Sequence, residues 1–107
     1  MKMIIAIVQD EDSKRVISKL MDAGYRVTKL STTGGFLRVG NSTLMIGVEE
    51  EKLEGAMAII EDICESRKQF VALPGSGPEN VGFPLPVEVT VGGATVFVLD
   101  VEQFQRF

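Results

Sequence analysis

The chain has 107 residues, 45% of them apolar, and a formal net charge of −4 from 15 acidic and 11 basic residues. This length and composition predict a single globular domain over residues 1–107, and they exclude a disordered chain. No run of Lys and Arg offsets the acidic balance, so a surface that binds the phosphates of a nucleic-acid polymer is not expected.

The first part of the chain predicts a buried strand followed by an amphipathic helix. Residues 4–8 are apolar and rich in β-branched side chains, as is typical of a buried strand. The acidic residues 10–12 supply N-cap candidates and first-turn negative charge, which favours a helix N-terminus over a catalytic or metal-binding pair. Gly24 is a candidate C-cap. The apolar face of this helix consists of Val16, Ile17, Leu20 and Met21.

Two strands and a second helix follow. Residues 25–30 and 43–48 predict strands on either side of a glycine-rich loop, residues 31–42. A helix then begins near residues 49–51 and ends with the charged residues 66–68. Its buried stripe has the spacing of an amphipathic helix and consists of Leu53, Ala56, Met57, Ile60, Ile63 and Cys64.

The last third of the chain predicts β-structure around a long loop. Residues 70–73 form a short strand, and residues 74–86 carry all four prolines, which predicts a loop. Apolar residues alternate or cluster over residues 87–99 around Gly92-Gly93, which predicts a hairpin with a tight turn. The order βαβ-βαβ with this extra hairpin predicts an α+β ferredoxin-like fold with two helices on one face. The other face of the sheet then needs cover, which oligomerisation supplies.

Residues typical of catalytic sites are scarce. The chain has no histidine and one cysteine, so the commonest general base, the commonest metal ligand and any disulfide are missing. Cys64 lies on the apolar stripe of the second helix and is expected in the core. The apolar start, residues 1–8, is too short to span a bilayer and lacks a cleavage site for a signal peptide. We therefore expect a cytoplasmic protein with no catalytic residues, metal, cofactor or membrane partner.

The loop 31–42 contains two unusual features, each with two interpretations. Gly34-Gly35 is either a flexible hairpin tip or a backbone whose N–H groups turn toward a phosphate. Phe36 either packs on the core or serves as a stacking platform for a base.

Two residues nearby are consistent with a base-binding site. Asn41 is either a turn residue or a carboxamide that pairs with an adenine edge. Gly47 interrupts an apolar strand, and a planar ligand against the backbone would explain the missing side chain. With the preceding loop, these residues suggest a purine nucleotide site.

With these residues identified, the whole chain closely resembles the cyclic di-AMP receptor family of PII-like signal transduction proteins. The segments that carry the resemblance are MKMIIAIVQD, TKLSTTGGFLRVGN and PVEVTVGGATVFVLDVEQF. The resemblance implies a ferredoxin-like fold and a homotrimer that binds one cyclic di-AMP in each cleft between neighbouring subunits. It also implies a receptor without enzymatic activity, which signals to a downstream protein that the sequence does not identify.

The resemblance further implies a set of binding residues. Asn41 and the Gly47 backbone match the positions that hold adenine. Phe97 matches a position that lines the neighbouring subunit's side of the pocket. The phosphate and ribose side matches five residues, the last three through their backbone: Arg26, Thr28, Gly35, Phe36 and Leu37.

Some features depart from the family pattern. Asp100 stands where a proline is usual, and Arg106 stands where a glutamine often precedes the last phenylalanine. The loop 31–42 is shorter than that of true PII proteins, which argues against sensing of ATP and 2-oxoglutarate. The alternative class is a small ferredoxin-like enzyme or metal-handling protein, against which the missing histidine and the core position of Cys64 both count.

Overall fold

The computed structural model describes residues 1–30, 40–72 and 86–107, without the side chains of residues 71 and 72. The predicted loops therefore lie almost wholly outside the described residues. Within them the chain forms strands and helices in this order: β1 (Lys2–Gln9), α1 (Asp10–Asp22), β2 (Val27–Leu30), β3 (Asn41–Val48), a 3-10 turn (Glu50–Lys52), α2 (Leu53–Cys64), β4 (Arg67–Ala72), β5 (Pro86–Val91) and β6 (Ala94–Asp100).

The strands form two antiparallel sheets. The main sheet has the order β2-β3-β1-β6, and β4 pairs with β5 in a second, two-stranded sheet. Two helices accompany the main sheet, so the predicted α+β ferredoxin-like fold with an extra hairpin is confirmed. Asn41, which the sequence places in a loop, is the first residue of β3.

The core lies between the main sheet and the two helices. Alternate residues of β1 are buried because successive side chains of a strand point to opposite faces. Both helices contribute the residues that their patterns predict, with one exception. Met21 is 60% exposed, because the buried face of α1 runs through Asp12, Val16 and Leu20 and Met21 lies beyond it. The fully buried core side chains include Ile4, Val8, Val16, Leu20, Leu44, Ile46, Ile60 and Cys64.

The two helices end differently. Gly24 follows α1 with a φ of 93°, and its N–H bonds the carbonyl of Met21 at 3.0 Å, so the predicted glycine stop is confirmed. The prediction that α2 continues to residues 66–68 is wrong. The helix stops at Cys64 because the backbone leaves the helical region at Glu65, which has a ψ of 132°. The N–H of Gly93 bonds the Cys64 carbonyl, and Arg67 already belongs to β4.

The predicted pairing of the last two strands is also wrong. β5 pairs with β4, whereas β6 pairs with β1. Gly92-Gly93 is consequently not a hairpin turn; it carries the chain from the small sheet to the main one, with φ of 84° and 88°. Alternation of apolar residues indicates strands but does not specify which strands pair. Here β6 pairs with the edge of β1 that β3 leaves free.

Candidate functional site

The face of the main sheet that points away from the helices carries the candidate site, and we call it the outer face. Ile4, Ala6 and Val8 of β1 are buried on the helix side, so the alternate residues of β1 lie on the outer face. Cross-strand partners share a face, which extends this assignment to the neighbouring strands. The outer face consists of Met3, Ile5, Ile7, Gln9, Thr28, Leu30, Asn41, Thr43, Met45, Gly47, Thr95, Phe97 and Leu99.

The strand register brings two of the sequence-predicted site residues into one row. Thr28 pairs with Met45, Met45 with Ile5, and Ile5 with Phe97, so the row crosses all four strands of the sheet. At about 4.8 Å per strand spacing, Thr28 and Phe97 lie about 14 Å apart at opposite edges. Both side chains are exposed. The row is wide enough for a ligand larger than one base.

Asn41 and Gly47 lie at opposite ends of this face. Asn41 is opposite Gln9 at one end of β1, and Gly47 is opposite Met3 near the other end. Six residues of extended strand separate them by about 20 Å, so one adenine cannot contact both in the same chain. Arg26 directly precedes β2, and continuing the strand register places it level with Gly47.

Among the described residues, no close contact or backbone conformation explains why position 47 is a glycine. Its φ is not in the left-handed region, and a Cβ at this position would meet no atom of residues 1–30, 40–72 and 86–107 within 4 Å. A side chain would therefore be tolerated by the described residues, and the exposed backbone is open to close approach from outside. This observation favours the functional interpretation of the glycine.

The outer face is rich in exposed apolar side chains. Phe97 is 52% exposed, Leu99 49% and Leu30 39%. The hydroxyl of Thr43 is buried on the same face without a hydrogen-bond partner among the described residues. An apolar patch of this kind on a single chain marks an interaction surface. The predicted uncovered face of the sheet is therefore present.

Three sequence-predicted site residues cannot be placed. Gly35, Phe36 and Leu37 lie outside the described residues. Neither interpretation of Phe36 is tested, and both stay open.

Cys64 and the groove beside it lie away from the outer-face residues. A groove of about 400 Å³ runs between α2 and β6 and is lined by Met57, Cys64 and Val96 among others. Of the predicted site residues that the structure describes, none lines it. Burial, aided by the Asp12 carboxylate, raises the pKa of the Cys64 thiol to about 11, so the thiol is protonated and a poor nucleophile near neutral pH. The predicted core position of Cys64 is confirmed.

The described residues also bear on metals and membranes. In these parts of the chain, no cluster of three or more His, Cys, Asp or Glu side chains could hold a metal ion. Neither of the helices they form has the length and apolar character needed to cross a bilayer.

Comparison with known proteins identifies the family of this chain. A sequence model described as cyclic-di-AMP receptor matches residues 1–107, the entire chain. The chain belongs to the cyclic-di-AMP receptor family. It is also similar to a crystal structure of a functionally unknown protein from Pediococcus pentosaceus ATCC 25745, with 46% identity and a TM-score of 0.77. That similarity covers 99% of this chain and 96% of the other.

In this member of the family, the departure at Asp100 has a local explanation. Asp100 is the last residue of β6 and lies opposite Lys2, with which it forms an exposed ion pair. The Lys2 ammonium holds the pKa of the Asp100 carboxyl below its ordinary value. The pair joins the ends of two adjacent strands and lies on the side opposite the outer face. Arg106 is exposed in the C-terminal segment.

The sequence interpretation missed an ion pair at the start of the small sheet. Asp12 is one of the acidic residues predicted to cap α1 or to charge its first turn, yet it is 1% exposed. Its Oδ1 accepts a hydrogen bond of 3.0 Å from Nη2 of Arg67, and this bond raises the pKa of the Arg67 guanidinium. The two residues are 55 positions apart. No local pattern signals such a pair, because only the fold brings them together.

Proposed function

We propose that the chain is a cytoplasmic, non-enzymatic receptor of the PII-like type that binds cyclic di-AMP on the outer face and reports its occupancy to a downstream protein. The observation that carries this proposal is the common location of Thr28, Asn41, Gly47 and Phe97 on one uncovered sheet face of a cyclic-di-AMP receptor family member. The chain brings no histidine to this face, which disfavours general-base chemistry there.

The residues of the face match the parts of a cyclic dinucleotide. The Asn41 carboxamide can accept a hydrogen bond from adenine N6 and donate one to N7. Arg26 presents a guanidinium, which binds phosphate through two parallel hydrogen bonds. Phe97 offers an exposed ring against which a base can stack. The loop residues Gly35, Phe36 and Leu37 complete the proposed site through their backbone.

A homotrimer would explain how both Asn41 and Gly47 contact ligand although they lie about 20 Å apart in one chain. If the ligand lies in a cleft between subunits, the two ends of one outer face need not hold the same base. Asn41 and the Gly47 end then contact different parts of a ligand that carries two adenines. Packing of neighbouring subunits would also cover Phe97 and Leu99, whose exposure is otherwise unfavourable in a single chain.

The trimer is expected with or without ligand, because the apolar outer face needs cover in both states. Light scattering at micromolar concentration should therefore give the mass of three chains. Phe97→Asp places a charge on this face and should reduce the mass toward that of one chain. Phe70→Asp is the matched control, since Phe70 is a 70% exposed aromatic on β4, outside the outer face. A monomeric unmutated protein would contradict this assembly.

A thermal-shift series distinguishes the receptor from the alternative, a small ferredoxin-like enzyme or metal-handling protein. A ligand that binds only the folded state at 100 times its Kd adds about 2.7 kcal/mol of stability. Cyclic di-AMP should therefore raise the Tm by several degrees. Divalent metal ions should leave it unchanged. A shift with metal ions and none with cyclic di-AMP would favour the alternative class.

A further inference from the structure

The small sheet of β4 and β5, which we call the arm, is fixed to the rest of the chain near Gly92-Gly93. Among the described residues, its two strands pair with each other and with no strand of the main sheet. Arg67, the first residue of the arm, forms the ion pair with buried Asp12. The N–H of Gly93 bonds the carbonyl of Cys64. The N–H of Gly92 bonds Oε1 of Gln9 at 2.8 Å.

Of these three contacts, one reaches the outer face. Asp12 and Cys64 are buried on the helix side of the sheet. Gln9 is the last residue of β1 on the outer face, directly opposite Asn41 in the strand register. A single side chain therefore stands between the proposed adenine contact and the end of the arm.

The use of Gln9 is unusual for its position. It is the N-cap residue of α1, where Ser, Thr, Asp or Asn would normally bond the first N–H groups of the helix. Gln9 makes no such side-chain bond among the described residues, and its amide oxygen instead reaches Gly92, 83 residues away. The longer side chain of glutamine thus bonds the end of the arm and does not cap its own helix.

The partner of Gln9 is held in a fixed geometry. Gly92 has a φ of 84°, and a Cβ there would lie 2.6 Å from Nη1 of Arg67 and 2.8 Å from the carbonyl of Glu65. Because the backbone at Gly92 is tightly enclosed, displacement of the Gln9 amide would be transmitted to β5 or break the bond. A bonded and a broken form of this contact would be the two states that a coupling element requires.

We propose that Gln9 is a positioning residue that couples ligand occupancy beside Asn41 to the arm. Its Oε1 is bonded to Gly92, and its Nε2 can donate to a ring nitrogen or phosphate oxygen held next to Asn41. A ligand that engages Nε2 fixes the amide and stabilises its bond to the arm. The coupling rests on the proposed function, because it requires cyclic di-AMP at the Asn41 end of the outer face.

Hydrogen exchange with and without cyclic di-AMP tests the coupling in the full chain. In the unmutated protein, ligand should slow exchange at Gly92 and in β5 by about 5-fold or more, the lower end of usual coupling. Gln9→Met has similar length but no amide, so exchange at Gly92 should be faster without ligand and should no longer respond to it. Gln9→Glu keeps an acceptor for the N–H of Gly92 but has no side-chain N–H. Without ligand, exchange at Gly92 should therefore be as slow as in the unmutated protein, and cyclic di-AMP should no longer slow it further.

A matched control and the outcomes separate the coupling from the proposed function. Gln69→Met changes an exposed glutamine of the arm itself and should leave the response intact. If Gln9→Met binds cyclic di-AMP and keeps the full response at Gly92, the coupling is wrong and the receptor function stands. If the unmutated protein does not bind cyclic di-AMP, the proposed function and the coupling both fail. If Gly92 exchanges at the same rate in ligand-free Gln9→Met as in the unmutated protein, the hydrogen bond between Gln9 and Gly92 is wrong.

Discussion

Gly92→Ala is expected to lower the free energy of unfolding by about 2–5 kcal/mol, the largest effect of a single methyl that we predict for this chain. A residue with a Cβ at a φ of 84° costs about 1–2 kcal/mol. The added Cβ would also lie 2.8 Å from the Glu65 carbonyl and 3.2 Å from that of Cys64. Overpacking against backbone costs about 1–3 kcal/mol more, because neither carbonyl can move without disturbing the end of α2.

The adjacent glycine supplies the control for this prediction. Gly93 has a φ of 88°, but a Cβ there would meet no atom of the part of the chain that the structure describes within 4 Å. Gly93→Ala should therefore show the conformational cost alone, about 1–2 kcal/mol. Urea unfolding of the two variants measures the difference. Equal destabilisation would mean that the close contacts around Gly92 do not exist as described.

Asn41→Ala is expected to weaken binding of cyclic di-AMP by about 1–3 kcal/mol, which corresponds to about 5- to 150-fold in Kd. The variant removes both hydrogen bonds that a carboxamide can make to adenine. Asn41 is the first residue of β3 and only partly buried, so the fold and the unfolding free energy should be nearly unchanged. Calorimetric titration measures the affinity, and circular dichroism checks the fold.

Two further variants sharpen the Asn41 result. Asn41→Asp keeps the shape but cannot donate to N7, so it should bind about as weakly as the alanine variant. Ser18→Ala, on the exposed side of α1 and away from the outer face, should bind like the unmutated protein. Undiminished binding by both Asn41 variants would remove this residue from the site.

The sequence predicted much of the fold because local patterns determine it. The apolar β1, the acidic start of α1 and Gly24 at its end all lie where composition and periodicity place them. The wrong predictions concern which strands pair with each other and where α2 ends. Arg67 reads as C-terminal helix charge, yet it leaves the helix to pair with Asp12, which no window around either residue can reveal. The choice of β4 over β6 as the partner of β5 is likewise a tertiary property.

The sequence and the resemblance name candidate site residues, but they do not give the geometry of those residues. The resemblance supplied Thr28 and Phe97, and only the register across four strands places them in one row. It also grouped Asn41 with Gly47 around adenine, whereas the length of β3 keeps them about 20 Å apart. The contact of Gln9 with Gly92 has no local signal in the sequence, because a residue directly before a helix has only the pattern of an element boundary.

The most direct test of the central claim is a calorimetric titration of the unmutated protein with cyclic di-AMP and, in parallel, with cyclic di-GMP. Guanine presents O6 where adenine presents its N6 amino group, so the Asn41 carboxamide should discriminate between them. We predict one cyclic di-AMP per chain, bound at least about 10-fold more tightly than cyclic di-GMP. Equal affinities, or no heat from cyclic di-AMP, would contradict the account.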